Sequence, residues 1–270
     1  MESAEKHPGP FFHPGGKLGV LMLHGFTGSA YVFEDLAAGL AKEHGYTTYA
    51  CLLRGHGTSH IEMEKTGATD WLASAEEAYD KLRESGCERI AVIGASFGGM
   101  IAASLSLRRP VSGIVMIGTP LRLEHQTLMD IGSRIAPLLG KKYYTKGSTK
   151  VGVNYYENSG NDLGAGNSVF AGGNHSYRHI PLRSVRELLR YLKKVPAKTL
   201  PQVSVPVLLI QSRNDGLVRR GSEDRLMSLL GTKEKTMVWT TQPHHNLRKL
   251  LATPEIVHEV SGFLNLIAKP

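Results

Sequence analysis

Four residues stand where they could form a nucleophile, its base and an orienting acid. Ser96 lies in Gly94-Ala95-Ser96-Phe97-Gly98. This G-x-S-x-G pattern can push a hydroxyl out of a sharp turn toward a base. A free hydroxyl is a poor nucleophile at neutral pH, so a neighbouring base must take its proton. That base needs an acid to hold its tautomer and to stabilise the imidazolium that forms. Asp215, in Ser212-Arg213-Asn214-Asp215-Gly216, is the expected acid. His244 and His245 follow in Gln242-Pro243-His244-His245-Asn246. Adjacent side chains in a loop diverge, so only one of them can face Ser96. His245 is the expected base and His244 the alternative.

Acyl transfer also needs hydrogen-bond donors for a developing oxyanion. One expected donor is the backbone N–H of Phe97, at the start of the helix that follows the nucleophile. The other is the N–H of Phe26 in His24-Gly25-Phe26-Thr27-Gly28. Gly25 and Gly28 let the backbone approach a substrate closely. Gly25, Phe26, Phe97 and His24 are therefore the expected substrate-binding residues. The Phe26 and Phe97 rings would wall the pocket, and the His24 ring nitrogens would orient the loop. Cys51 and Cys87 are the only cysteines. Their spacing fits neither a disulfide framework nor a metal motif, and neither a metal nor a cofactor is expected.

The elements that must position these residues alternate between strand and helix. Leu18 to Leu23 is an apolar run leading into His24, and Arg89 to Ile93 leads into the serine turn. Pro206 to Gln211 precedes Asp215, and Lys235 to Thr240 precedes the histidines. Further strands are expected over Tyr46 to Leu53 and Val111 to Ile117, with Phe11 to Lys17 as a strand end and hairpin turn. Helices are expected over Val32 to Lys42, Asp70 to Glu84 with Asp70 as N-cap, and Gly99 to Leu107. Such alternation implies a mostly parallel sheet covered on both faces. Active sites of these sheets form beyond the carboxyl ends of the strands.

One stretch breaks the rhythm. More than eighty residues separate Thr119-Pro120 from Val207, far more than a strand-to-strand crossover needs. Residues 1–120 and 181–270 are read as the core domain and 121–180 as an inserted cap. A helix is expected over Thr127 to Leu139 within the cap, and another over Leu182 to Val195 returning to the core. The tyrosines at 143, 144, 155 and 156 would be cap packing or aromatic recognition.

Composition narrows the class. With 41% hydrophobic and 21% charged residues in 270, the chain can bury a full core without staples. No apolar run approaches the ~18 residues of a membrane span, and the first ten residues lack a secretory h-region. A cytoplasmic protein without stable membrane insertion is expected, and a homodimer is left open. The net charge of +8 raises the question of nucleic acid or anionic lipid. The densest basic stretch, Arg178 to Lys198, carries leucines at helical spacing, and its cations fall on the opposite face. A solvated helix face is the expected reading, with a weak lipid attraction as the alternative and no nucleic-acid partner.

Together, the motifs resemble the carboxylesterase and monoacylglycerol lipase branch of the α/β-hydrolase superfamily. The matching pieces are His24-Gly25-Phe26-Thr27-Gly28, Arg54-Gly55-His56-Gly57, Thr66-Gly67 with Asp70-Trp71, Gly94-Ala95-Ser96-Phe97-Gly98-Gly99, and Asn214-Asp215. The chain departs from the pattern at Pro243-His244-His245, where relatives carry Ser-Gly-His. The resemblance implies an α/β-hydrolase fold with a small cap and no metal. It places the triad on Ser96, Asp215 and His245, and the oxyanion hole on Phe26 and Phe97. The expected activity is serine carboxylesterase action on a small-molecule ester, either a short- to medium-chain acyl ester or a monoacylglycerol. Aryl (hydroxycinnamoyl) esters, amides, C–C bonds and perhydrolysis are the alternatives on the same residues. A non-catalytic ligand receptor is the alternative from another class.

Overall fold

The computed structural model describes residues 8–145, 170–171, 176–177, 179–241 and 245–269. In chain order the elements are β1 (Phe11–His13), β2 (Leu18–Leu23), α1 (Glu34–His44), β3 (Thr47–Cys51), α2 (His60–Lys65), α3 (Ala68–Glu84), β4 (Arg89–Ala95), α4 (Phe97–Leu105), β5 (Gly113–Ile117) and α5 (Gln126–Ile135). There follow β6 (Tyr143–Thr145), β7 (Phe170–Ala171), β8 (Ser176–Tyr177), β9 (His179–Pro181), α6 (Leu182–Lys194), α7 (Pro196–Thr199), β10 (Val207–Ser212), α8 (Ser222–Leu229), β11 (Lys235–Thr240), α9 (Leu247–Leu251) and α10 (Pro254–Ala268).

Seven strands form one sheet in the order β1-β3-β2-β4-β5-β10-β11. All neighbours are parallel except β1 and β3. Side chains alternate between faces along a strand, and this alternation divides the core. Leu21, Leu23, Val92, Met116 and Leu209 point to one face, where Trp71, Ala75 and Leu82 of α3 and Leu188 and Leu192 of α6 cover them. Val20, Met22, Ile93, Val115 and Ile210 point to the other, under Leu36 and Leu40 of α1 and Val260 and Leu264 of α10. Strands buried on both faces explain why β2 reads as a continuous apolar run rather than an alternating one.

Two local expectations are corrected. The Pro14-Gly15-Gly16 turn does not make a hairpin, because β1 pairs with β3 rather than with β2. The turn instead docks on the end of α1: Gly16 N–H donates to Gly45 C=O (2.6 Å) and Gly15 N–H to Thr47 Oγ1 (3.0 Å). Asp70 is not the N-cap of α3. The helix starts two residues earlier, after Gly67, and the Asp70 carboxylate accepts the Gly67 N–H (2.9 Å). It therefore serves as the returning half of a capping box. α2 and the two C-terminal helices were not anticipated.

Candidate active site

The loops after β2, β4, β10 and β11 lie at the carboxyl end of the sheet, and each carries at least one expected residue. β4 ends at Ala95, and Ser96 turns the chain into α4 with φ +53° and ψ −124°. A non-glycine residue in this region costs about 1–3 kcal/mol and persists only where its surroundings over-determine it. Here backbone crowding does so. A Cβ on Gly94 would overlap Gly98 and Gly99, and one on Gly98 would overlap the carbonyl of Leu23. Ser96 N–H donates to Ile117 C=O (2.7 Å), tying the turn to β5.

The ring of His245 lies between Ser96 and Asp215. Nε2 is 2.9 Å from Ser96 Oγ, and Nδ1 is 2.7 Å from Asp215 Oδ2. A carboxylate can only accept, so Nδ1 carries the proton and Nε2 offers its lone pair to the serine hydroxyl. Asp215 is itself fixed, since its Oδ1 accepts the N–H groups of Leu217 (2.8 Å) and Val218 (3.0 Å). The buried Gln211 amide lies 3.4 Å from Oδ2. His245 is followed by Asn246, whose side chain caps α9 by accepting the Lys249 N–H (3.2 Å). Gly118, at φ +57°, clears space for the histidine: a Cβ there would lie 3.3 Å from His245 Cε1 and 2.9 Å from Leu247 Cδ2. His244 lies outside the described residues.

The loop after β2 packs against the nucleophile. A Cβ on Gly25 would stand 3.0 Å from Ser96 Cβ and 3.6 Å from its Oγ. Phe97 begins α4, so its N–H has no acceptor within the helix. The side chains are placed differently from the sequence expectation. Phe26 is half-buried and packs edge-on against Trp71 (5.8 Å) and His56 (6.3 Å). Phe97 is buried edge-on between Trp71 (5.5 Å) and Tyr191 (5.1 Å), so its ring packs the core and only its backbone faces the turn.

The His24 ring orients the loop after β2, as expected of it, from within the core. It is completely buried, and both ring nitrogens bind backbone. Nδ1 bonds Gly25 C=O (2.9 Å), and Nε2 accepts the Leu53 N–H (3.1 Å). Burial, aided by His56 at 5.0 Å, pushes its pKa down to about 3, against a weaker opposing effect of the Gly25 bond. Burial likewise brings His56 down to about 4. Both rings are neutral and hold the loops after β2 and β3 together.

Sequence reasoning missed Tyr177. Its ring is fully buried, and its hydroxyl donates to Gly55 C=O (2.7 Å) and accepts the Thr58 N–H (3.0 Å). Its own N–H donates to Thr27 C=O (3.3 Å), and Ser176 Oγ bonds Thr27 Oγ1 (3.1 Å). β8 thereby clamps the loop after β2 to the loop after β3. Of the tyrosines singled out in the sequence, Tyr143 lies beside Glu64 and His60. Tyr144 is described in its backbone alone, and Tyr155 and Tyr156 lie outside the described residues. Among the described residues, no group of three or more His, Cys, Asp or Glu side chains could hold a metal ion.

Known proteins share this architecture. The family model for serine aminopeptidase, S33, matches residues 17–249. A thermostable monoacylglycerol lipase of Bacillus sp. (strain H-257) is 31% identical over 237 residues, covering 87% of this chain and 86% of that protein. A carboxylesterase of Bacillus subtilis (strain 168) is 26% identical, covering 88% of each. Among solved structures, one from work on LipS and LipT, two metagenome-derived lipolytic enzymes, superposes with a TM-score of 0.72 at 26% identity. It covers 95% of this chain and 96% of its own. The monoacylglycerol lipase of Paleococcus ferrophilus shares the fold at 18% identity, with a TM-score of 0.64 over 96% of this chain and 98% of its own. The sheet order, the elbow at Ser96 and these matches lead to one assignment: the chain belongs to the serine aminopeptidase S33 family of α/β-hydrolases.

Proposed function

We propose that the chain hydrolyses carboxylic esters of short- to medium-chain acids, monoacylglycerols among them, with Ser96 as nucleophile, His245 as base and Asp215 as its orienting acid. The observation that carries this reading is the continuous hydrogen-bonded line from Ser96 Oγ through His245 to Asp215, at 2.9 and 2.7 Å. His245 Nε2 takes the hydroxyl proton as Oγ attacks the ester carbonyl. The oxyanion is met by the N–H groups of Phe97 and Phe26, each worth on the order of 10²–10³ in rate. The imidazolium then gives its proton to the leaving alcohol. A water activated by the same nitrogen releases the acid and restores Ser96.

Residues 121–180 act as the cap that sets acyl preference, while residues 1–120 and 181–270 carry the chemistry. The two cysteines are free and buried, which suits a reducing, cytoplasmic setting. The test is initial rates on p-nitrophenyl esters from acetate to palmitate, for wild type and Ser96→Ala. Loss of activity in the variant supports the serine mechanism, and the chain-length optimum sizes the pocket. Equal rates in the two proteins would overturn it. A wild type inert on every ester yet labelled by a fluorophosphonate at Ser96 would keep the nucleophile and move the search to amide or C–C substrates.

A further inference from the structure

The turn that carries Phe26, the expected oxyanion donor, is held from two sides. Gly28 N–H donates to Gly25 C=O (3.1 Å), so Phe26 and Thr27 are the central residues of a four-residue β-turn. His24 Nδ1 donates to the same Gly25 carbonyl from the core (2.9 Å). Of the two central residues, only Thr27 has a positive φ, at +63°. A positive φ at this position alone marks a type II turn, which takes Gly or Asn there. A β-branched residue in that region is an outlier. Threonine by itself favours the type I form, in which the Phe26–Thr27 peptide is turned over.

The bonds that hold Thr27 in this form come from the cap. Thr27 is buried; its carbonyl accepts the Tyr177 N–H (3.3 Å), and its hydroxyl bonds Ser176 Oγ (3.1 Å). Tyr177 is anchored in turn, because its hydroxyl donates to Gly55 C=O (2.7 Å) and accepts the Thr58 N–H (3.0 Å) in the loop after β3. β8 is also paired with β7, Tyr177 opposite Phe170 and Ser176 opposite Ala171. A residue in a sparsely populated conformation persists only where its surroundings over-determine it. At Thr27 one cap strand does so twice, through the backbone and through the side chain.

We propose that Ser176 and Tyr177 of the cap are positioning residues for the oxyanion hole. β8 keeps Thr27 at positive φ, and this fixes the neighbouring Phe26 N–H against the oxyanion. Both residues act through Thr27. The inference rests on the serine mechanism proposed for Ser96, and it gives the cap a part in the chemical step as well as in acyl choice. When β8 leaves Thr27, the turn relaxes and one donor is lost.

The test reads the hole by two routes in the full-length protein. Labelling by a fluorophosphonate forms a bond from Ser96 Oγ to phosphorus as fluoride leaves, and it needs the hole but no ester turnover. Initial rates on p-nitrophenyl butyrate give kcat and KM, and urea denaturation checks that each variant is folded. Ser176→Ala and Thr27→Val each remove the side-chain bond and keep a β-branched residue at position 27. Each should lower the labelling rate and kcat roughly tenfold with KM within about twofold, short of the 10²–10³ of a whole donor. Ser176→Thr keeps the hydroxyl and should keep both rates. Thr27→Gly loses the same bond but accepts positive φ unaided, and should stay within about threefold of wild type. Unchanged labelling and kcat in Ser176→Ala overturn the inference and leave the serine mechanism standing. A Thr27→Gly slower than Thr27→Val also overturns it, since the conformation of the turn would then not be what β8 supplies. A wild type that the probe does not label at Ser96 brings down the mechanism and the inference together.

Discussion

Gly99 offers a quantitative check on how tightly the nucleophile turn is built. It is the third residue of α4, and a Cβ added there would overlap Thr119 Oγ1 and lie 3.0 Å from Thr119 Cγ2 and 3.1 Å from its Cβ. Thr119 is completely buried, and its hydroxyl finds no hydrogen-bond partner among the described residues. In open space Gly→Ala within a helix gains about 1 kcal/mol. Here the overlap must be relieved by moving β5 or α4, which costs about 1–3 kcal/mol for one inserted carbon and more where the backbone resists. Gly99→Ala should therefore destabilise by about 1–2 kcal/mol net.

Thr119→Ala removes a methyl but also an unpaired buried hydroxyl. The two effects are of similar size and opposite sign, so its own change stays within about 1 kcal/mol. In the double variant the clashing atoms are gone and only the 3.1 Å approach to Cβ remains. The helix gain is then recovered, giving a coupling of about 2 kcal/mol in a double-mutant cycle. Urea denaturation of the four proteins, with slopes compared to confirm a common transition, measures it. Additivity within about 0.5 kcal/mol would show that Thr119 is not what excludes a side chain at position 99, and the packing account of the turn would fail.

Asp215→Asn keeps the shape but not the charge or the tautomer, and kcat should fall on the order of 10⁴-fold, read on p-nitrophenyl butyrate with Ser96→Ala as the baseline. Tyr177→Phe strips the hydroxyl that joins Gly55 and Thr58 and should cost about 1–3 kcal/mol, seen as a lower urea midpoint at unchanged slope. His24 and His56 are buried and neutral, held at about 3 and about 4 against 6.5 when unfolded. Below pH 6.5 the unfolded chain thus binds more protons, and stability falls as pH drops toward 4. Each histidine contributes about 1.4 kcal/mol per pH unit, and His56→Gln should remove about half of that slope. A slope unchanged in the variant would mean that His56 is not buried neutral.

Much of the site was legible because its chemistry is tied to strand ends in a fixed chain order. β2 and β11 begin and end at the residues the sequence pattern predicts, and Ser96, Asp215 and His245 follow β4, β10 and β11 in turn. What stayed hidden depends on partners distant in sequence. Pro14-Gly15-Gly16 has hairpin chemistry, yet nothing local shows that β1 pairs with β3, thirty-nine positions on from Phe11 at Ala50. His24 sits in a loop motif beside the nucleophile, and only the approach of Leu53 buries it. Tyr177 carries no signal of its own, because its bonds to Gly55 and Thr58 cross the whole first half of the fold. α2, six residues long, is too short to display a period.

The start of α4 is unusual in one further respect. Ser96 occupies its N-cap position, where a serine hydroxyl ordinarily accepts a helix N–H, but here the side chain makes no such bond and no acidic residue lies in the first turn. The hydroxyl is turned toward His245 instead. Under the proposed chemistry the oxyanion takes the acceptor's role on Phe97 N–H. The helix is thus completed by the reacting molecule and reverts to its open form each time product leaves. Folding stability and turnover then draw on the same group. A variant that supplies α4 with its own cap should gain in the first and lose in the second.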